Sequence, residues 1–167
     1  MTPDEFMRFK VDKEVKAVVL GITKQFDHAK LSILSLYLQQ PGVKFFVTNE
    51  DRVYSAGRNR GLCGTRFIPD IGCLLKSIET ASGCTPAIRI GKPEVYAFQA
   101  ILRDHFQNES PKLDQFLMIG DNVESDIQFA KNIGIDSVLV YTGVTNKGSE
   151  ILIQPTYICE NITTNLP

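Results

Sequence analysis

Residues 15–48 carry the pattern that most restricts the fold. An apolar, β-prone run from Val15 to Leu20 is followed by a helical segment with Leu31, Leu34 and Leu38 on one face, and then by a second apolar run from Val43 to Thr48. Short continuous apolar runs suit strands covered on both faces, and two strands joined by a helical crossover run parallel. Asp27 stands where its carboxylate can cap the helix start, and Pro41-Gly42 stops the helix. The stretch therefore predicts a β-α-β unit.

The same alternation continues downstream. Asn49 to Pro69 is rich in Gly, Arg and Asn and reads as a long loop or a poorly formed strand pair near a binding face. Ile71 to Ser82 resumes helical spacing through Leu74, Leu75 and Ile78, and Gly83 ends it. Ala87 to Ile90 forms a short strand running into Gly91-Lys92-Pro93, whose proline suits the first turn of a helix reaching about Phe106. A strand over Phe116 to Ile119, a helix ending near Gly134, a strand over Ser137 to Tyr141 and a β-prone piece at Thr156 to Ile158 complete the chain. The class is α/β with a mostly parallel sheet.

Composition excludes several functions. With 18 basic and 19 acidic residues the net charge is −1, so no broad basic field exists for a phosphate backbone and nucleic acid is not an expected partner. The apolar run at Val15 to Ile22 is interrupted by Lys16 and is too short for a signal h-region or a membrane span, which gives a cytoplasmic expectation with no membrane partner. Cys63, Cys73, Cys84 and Cys159 show no Cys-x-x-Cys spacing and His28 and His105 lie far from them, so a zinc site is not expected. Gly61-x-x-Gly64 does not match a dinucleotide fingerprint.

Two short motifs carry the chemistry. Ligands of open parallel sheets bind outside the carboxyl ends of the strands, where both Gly91-Lys92-Pro93 and Gly120-Asp121 are expected. Lys92 offers a compact cation at a helix start that already favours anions. Asp121 and Asp126, five residues apart, offer hard oxygen ligands without nitrogen or sulfur, the set that suits Mg²⁺ held with waters and a substrate phosphate. Taken singly, each has an ordinary structural reading: a solvated lysine, an N-cap and a first-turn carboxylate. A lysine and a magnesium ion converging on one point make a phosphate site.

With these residues the chain resembles the haloacid dehalogenase (HAD) superfamily of phosphatases, in its nitrophenylphosphatase and phosphoglycolate phosphatase-like branch. GKP at 91–93 resembles the third motif of that superfamily and GDNVESD at 120–126 the fourth. The branch is indicated by VKAVVLG (15–21), FDHAKL (26–31), FFVTNED (45–51), RFIPDIGCLL (66–75) and YTGVT (141–145), in that order. The resemblance implies an α/β cap over residues 1–86 and the carboxyl-terminal half of a Rossmann-like core over 87–167. It implies that Lys92 balances charge on the phosphoryl group, that Asp121 binds Mg²⁺, that Asp126 is a ligand or supports one, and that Asn122 orders the loop. Asn49 and Asp51 would line the substrate face of the cap, and the partner would be a small phosphorylated metabolite. Thr23 and Asp70 depart from the branch's usual residues, aspartate and glycine, within the cap.

One element of the resemblance is missing. The superfamily uses an aspartate nucleophile in an Asp-x-Asp motif, and no two aspartates of this chain are separated by a single residue. Two expectations result: a Mg²⁺-dependent phosphomonoester hydrolase seen without its nucleophile and inactive alone, or a noncatalytic truncated paralogue acting by binding or association. The strand at 116–119 is expected to expose a sheet edge, and the chain to form homo-oligomers.

Overall fold

Two parallel sheets grow from the alternation of apolar runs and amphipathic helices. The computed structural model describes residues 2–58 and 65–163. Its elements are α1 (Pro3–Arg8), β1 (Ala17–Leu20), α2 (His28–Leu38), β2 (Lys44–Val47), β3 (Val53–Arg58), β4 (Thr65–Pro69), α3 (Ile71–Ser82), β5 (Ile88–Arg89), α4 (Tyr96–His105), β6 (Leu117–Gly120), α5 (Gln128–Ile133), β7 (Asp136–Val140) and β8 (Tyr157–Cys159). A 3-10 turn at Leu113–Gln115 precedes β6, and a π-helical turn at Val123–Ile127 leads into α5. The chain divides into two compact units, Met1–Arg52 with Pro69–Arg89, and Val53–Ile68 with Ile90–Pro167.

In the first unit the strand order is β1-β2-β5, all parallel, with Val18 beside Phe45, Leu20 beside Val47 and Phe46 beside Ile88. The expected β-α-β unit is present. Asp27 caps α2 by accepting a hydrogen bond from the Lys30 amide at 2.8 Å, and Gly83 ends α3 in the left-handed conformation at φ 72°. The core joins Val18, Leu20, Phe45 and Val47 of the sheet to Leu38 of α2 and Ile71, Leu75 and Ile78 of α3. Leu31 and Leu34 are partly buried against it. Helix α1 is an addition to the expected elements. Its signal was a capping box: Thr2 Oγ1 accepts from the Glu5 amide at 3.2 Å and the Thr2 nitrogen donates to Glu5 Oε2 at 2.8 Å.

In the second unit the order is β6-β7-β8, again parallel. Central β7 buries Ser137, Val138, Leu139 and Val140, while β6 and β8 are edge strands with no buried residue. Ser137 and Thr156 exchange hydrogen bonds, each amide donating to the other's hydroxyl at 3.0 and 3.2 Å, which holds β8 in register. Phe116 receives the rings of Phe98 and Phe106 edge-on, with centroids 4.9 and 5.6 Å away.

The stretch at 49–69 contains a strand pair, β3 with β4, one of the two alternatives that the sequence left open. Two differences from the sequence reading concern the segments after β5 and β6. Pro93 does not open a helix: α4 begins at Tyr96, and Gly91–Pro93 form a bend with a cis Lys92–Pro93 peptide. Lys92 is therefore not a helix-start residue, because the turn takes three further residues to bring the backbone into helical geometry. The helix expected after β6 begins as the π turn. Gly61, Cys63 and Gly64 lie outside the described residues, and among those described no helix is long and apolar enough to cross a membrane.

Leu75→Ala, at a side chain only 1% exposed, is expected to cost about 2–5 kcal/mol in urea unfolding, whereas Leu152→Ala, at 79% exposure, is expected to stay within about 0.5 kcal/mol.

Candidate functional site

The Gly120–Asp126 segment folds back on itself at the carboxyl end of β6. Asn122 starts the turn: its side-chain oxygen accepts from the Glu124 amide at 3.0 Å. Its carbonyl accepts from the amides of both Asp126 and Ile127, at 2.8 and 3.3 Å. The second of these bonds spans five residues and widens the turn to the π form. As a result Asp126, far enough along to have passed a normal first turn, comes back beneath Gly120.

Asp126 is 3% exposed and uses both carboxylate oxygens. Oδ2 accepts from the amides of Asp121 and Asn122, each at 3.0 Å, and Oδ1 forms an ion pair with the Lys92 ammonium. A buried carboxylate is tolerated only when paired and hydrogen-bonded in this way. The Lys92 side chain remains 39% exposed, so its ammonium is fixed by Asp126 and still reachable. Asn132 Nδ2 donates to the Pro93 carbonyl at 2.8 Å and ties the Gly91–Pro93 bend to α5.

Asp121 is held differently. Its Oδ2 accepts from the Val144 amide at 2.6 Å, and its carbonyl accepts from the Thr145 amide at 2.9 Å. Among the described residues nothing donates to Oδ1. Asp121 is thus not the N-cap of the following turn, a role Asn122 fills.

Two glycines make these approaches possible. A Cβ on Gly120 would lie 2.2 Å from Asp126 Oδ2, and one on Gly143 would lie 1.8 Å from Asp121 Oδ2. The sequence reading named neither glycine as a site residue, although Gly120 precedes Asp121 and Gly143 sits in the YTGVT block. Nor did it anticipate that the backbone of Val144 and Thr145 would grip Asp121.

The fit to a metal ion follows from the donors. A dication of the Mg²⁺ kind binds through one or two carboxylates and completes its octahedron with water and phosphate. Asp121, with one oxygen anchored and the other open at the end of a parallel strand, suits that use. Asp126 spends its oxygens on Lys92 and on the loop, and acts on Asp121 through the backbone it holds. Among the described residues no group of three or more His, Cys, Asp or Glu side chains gathers around one point.

Asn49 and Asp51 belong to the first unit, at the carboxyl end of β2. Asn49 Nδ2 donates to Asp51 Oδ2 at 3.0 Å, and the Thr48 hydroxyl donates to Asn49 Oδ1 at 3.2 Å. The next turn is packed against α3: the Gly72 amide donates to the Asp51 carbonyl at 2.9 Å, and a Cβ on Gly72 would meet the Glu50 carbonyl at 2.5 Å. Arg89, at the end of β5, pairs with Glu50 at 2.5 Å. Hydrogen bonds within the loop, the Arg89–Glu50 pair and the close approach of α3 hold its shape.

Known proteins share this arrangement of elements. The family profile described as HAD-hydrolase-like matches residues 89–164. The human glycerol-3-phosphate phosphatase is 30% identical over 146 residues, which is 87% of this chain and 42% of that protein. The chain thus spans less than half the length of that relative. A 4-nitrophenylphosphatase structure from Thermotoga maritima superposes with a TM-score of 0.69 at 25% identity, covering 94% of this chain and 57% of the other. A glycerol phosphate phosphatase from Mycobacterium tuberculosis, determined in complex with calcium, superposes with a TM-score of 0.63 at 26% identity, covering 86% of this chain and 40% of the other. The turn that gathers Lys92, Asp121 and Asp126 thus sits in a chain that belongs to the HAD phosphatase superfamily, in its nitrophenylphosphatase-like branch.

Proposed function

We propose that this chain carries the metal and phosphate half of a Mg²⁺-dependent phosphomonoesterase site, and that by itself it binds rather than turns over substrate. The observation that carries the reading is the shared Asp126 carboxylate, which fixes a reachable lysine and the Asp121 loop with one buried group. Asp121 would hold the ion through Oδ1, with Asp126 keeping the loop and Lys92 in register and Asn122 closing the turn. Bound there, the ion would supply Lewis-acid stabilisation of phosphoryl oxygens. Lys92 would neutralise a second phosphoryl oxygen, and its ion pair with Asp126 keeps the ammonium aimed without immobilising its whole side chain.

The calcium in the structure of the M. tuberculosis relative supports a dication of this class. Substrates would be small phosphorylated metabolites, as the names of the relatives suggest. Residues 1–86 would act as the substrate-selecting cap, with Asn49 and Asp51 on its polar loop, and 87–167 as half of the core. A cytoplasmic setting fits such metabolites.

The binding reading of this chain is favoured by a specific observation: residues 1–167 contain no Asp-x-Asp pair to accept the phosphoryl group. Loss of one member of a catalytic unit commonly lowers turnover by ~10⁴ or more. Magnesium-dependent release of nitrophenol from nitrophenyl phosphate is therefore expected to stay at background. Robust turnover abolished by Asp121→Ala would overturn that expectation.

Mg²⁺ titration followed by amide NMR is expected to give saturable shifts at residues 120–126 and 143–145. Asp121→Asn should abolish them, whereas Lys92→Ala should keep them and lose only the response to inorganic phosphate. Saturable shifts that survive in Asp121→Asn would sink the assignment of the metal to this loop. Gly143→Ala, which drives a Cβ into the Asp121 carboxylate, is expected to cost about 1–3 kcal/mol in chemical denaturation and to weaken Mg²⁺ binding together with it.

A further inference from the structure

Lys92 is held from two directions, and its ion pair is only one of them. The backbone around it folds as a tight bend, Gly91–Glu94, closed by the Glu94 amide donating to the Gly91 carbonyl at 3.0 Å. Lys92 and Pro93 form the centre of that bend. The Pro93 carbonyl turns to another element for its partner and accepts from Asn132 Nδ2 at 2.8 Å. Asn132 is itself oriented. Gln128, one helical turn earlier on α5, donates from Nε2 to Asn132 Oδ1 at 2.5 Å, the spacing at which helix side chains meet. An asparagine amide accepts at one end and donates at the other. With Oδ1 taken by Gln128, the donor end is the one that faces Pro93. Asparagine is also a poorer helix former than alanine, so the propensity of α5 does not account for it.

We propose that Asn132 is a positioning residue for Lys92: it fixes the backbone from which the lysine side chain springs, while Asp126 fixes the ammonium at the far end. Both grips come from one stretch of helix, since Asp126 lies in the π turn at Val123–Ile127 and α5 follows that turn without a break. A lysine is a point charge on a long, flexible stem, and a grip on the ammonium alone leaves the backbone end free to swing. With both ends held, the exposed side of the ammonium keeps one direction, which is what a phosphate oxygen requires. The inference rests on the phosphate role proposed above for Lys92 and extends it to a residue on another element. Among the described residues the hydrogen bonds of the Asn132 side chain go to Pro93 and Gln128, and none reaches the Asp121 loop. Phosphate binding and metal binding should therefore respond differently to its loss.

Asn132→Ala removes the donor and puts a better helix former into α5, so the urea midpoint is expected to stay where it is in the wild type. Amide shifts at residues 120–126 should follow Mg²⁺ with an unchanged midpoint. Titration with inorganic phosphate at saturating Mg²⁺ should give a dissociation constant raised about 3- to 10-fold, the factor that one hydrogen bond is worth. With no ligand present, side-chain NMR relaxation should show the order parameter of Lys92 Cε falling while the amides of Asp121 and Asn122 keep theirs. Gln128→Ala should give the same pattern more weakly. Combined with Asn132→Ala it should add nothing, because both act through one bond. An unchanged Lys92 order parameter, equal weakening of Mg²⁺ and phosphate, or additive effects in the double variant would each overturn the proposal. The relaxation measurement needs no ligand. A wild-type chain silent towards phosphate would remove the phosphate role of Lys92, and the order parameters would still decide whether Asn132 positions it.

Discussion

The second unit's site depends on one carboxylate. Asp126 is withdrawn from water, and a lone buried charge there would cost several kcal/mol. Its three partners, the Lys92 ammonium and the amides of Asp121 and Asn122, offset that cost. Each hydrogen bond to a charged group is worth roughly 1.5–3 kcal/mol, so the loop, the lysine and the aspartate stabilise one another. Removing Asp126 would leave all three partners without it, whereas removing Lys92 would leave both amide bonds to Oδ2 in place. The π turn is the backbone's means of bringing Asp126 under the strand end, and Gly120 is the residue small enough to admit it.

From that arrangement the functional reading follows with few additions. On the proposed function, a lysine aimed by a buried partner and an aspartate anchored through one oxygen would be separate tools, one for the negative charge of a phosphoryl group and one for a dication. Val144 and Thr145 complete the grip on Asp121 from the loop after β7, so both neighbouring strands of the sheet contribute to one site. The carboxyl ends of β6 and β7 thus act together, as expected for parallel sheets whose strands all point one way.

Sequence by itself determined the α/β class, the β-α-β opening, the Asp27 cap, the Gly83 stop and the family motifs with their aspartates and lysine. These are local properties, set by periodicity, capping chemistry and residue type, and they need no knowledge of distant parts of the chain. Tertiary structure decided the rest. The helix expected at Pro93 begins instead at Tyr96, because a bend tied to α5 by Asn132 occupies those residues. Asp126 turned out to be a buried hub with no free oxygen, a fact fixed by Lys92, 34 residues away in the chain. Gly143 proved necessary only once the Asp121 carboxylate was seen against it. Contacts between residues far apart in sequence have no local signal, since their energy depends on packing that exists only after the strands have paired.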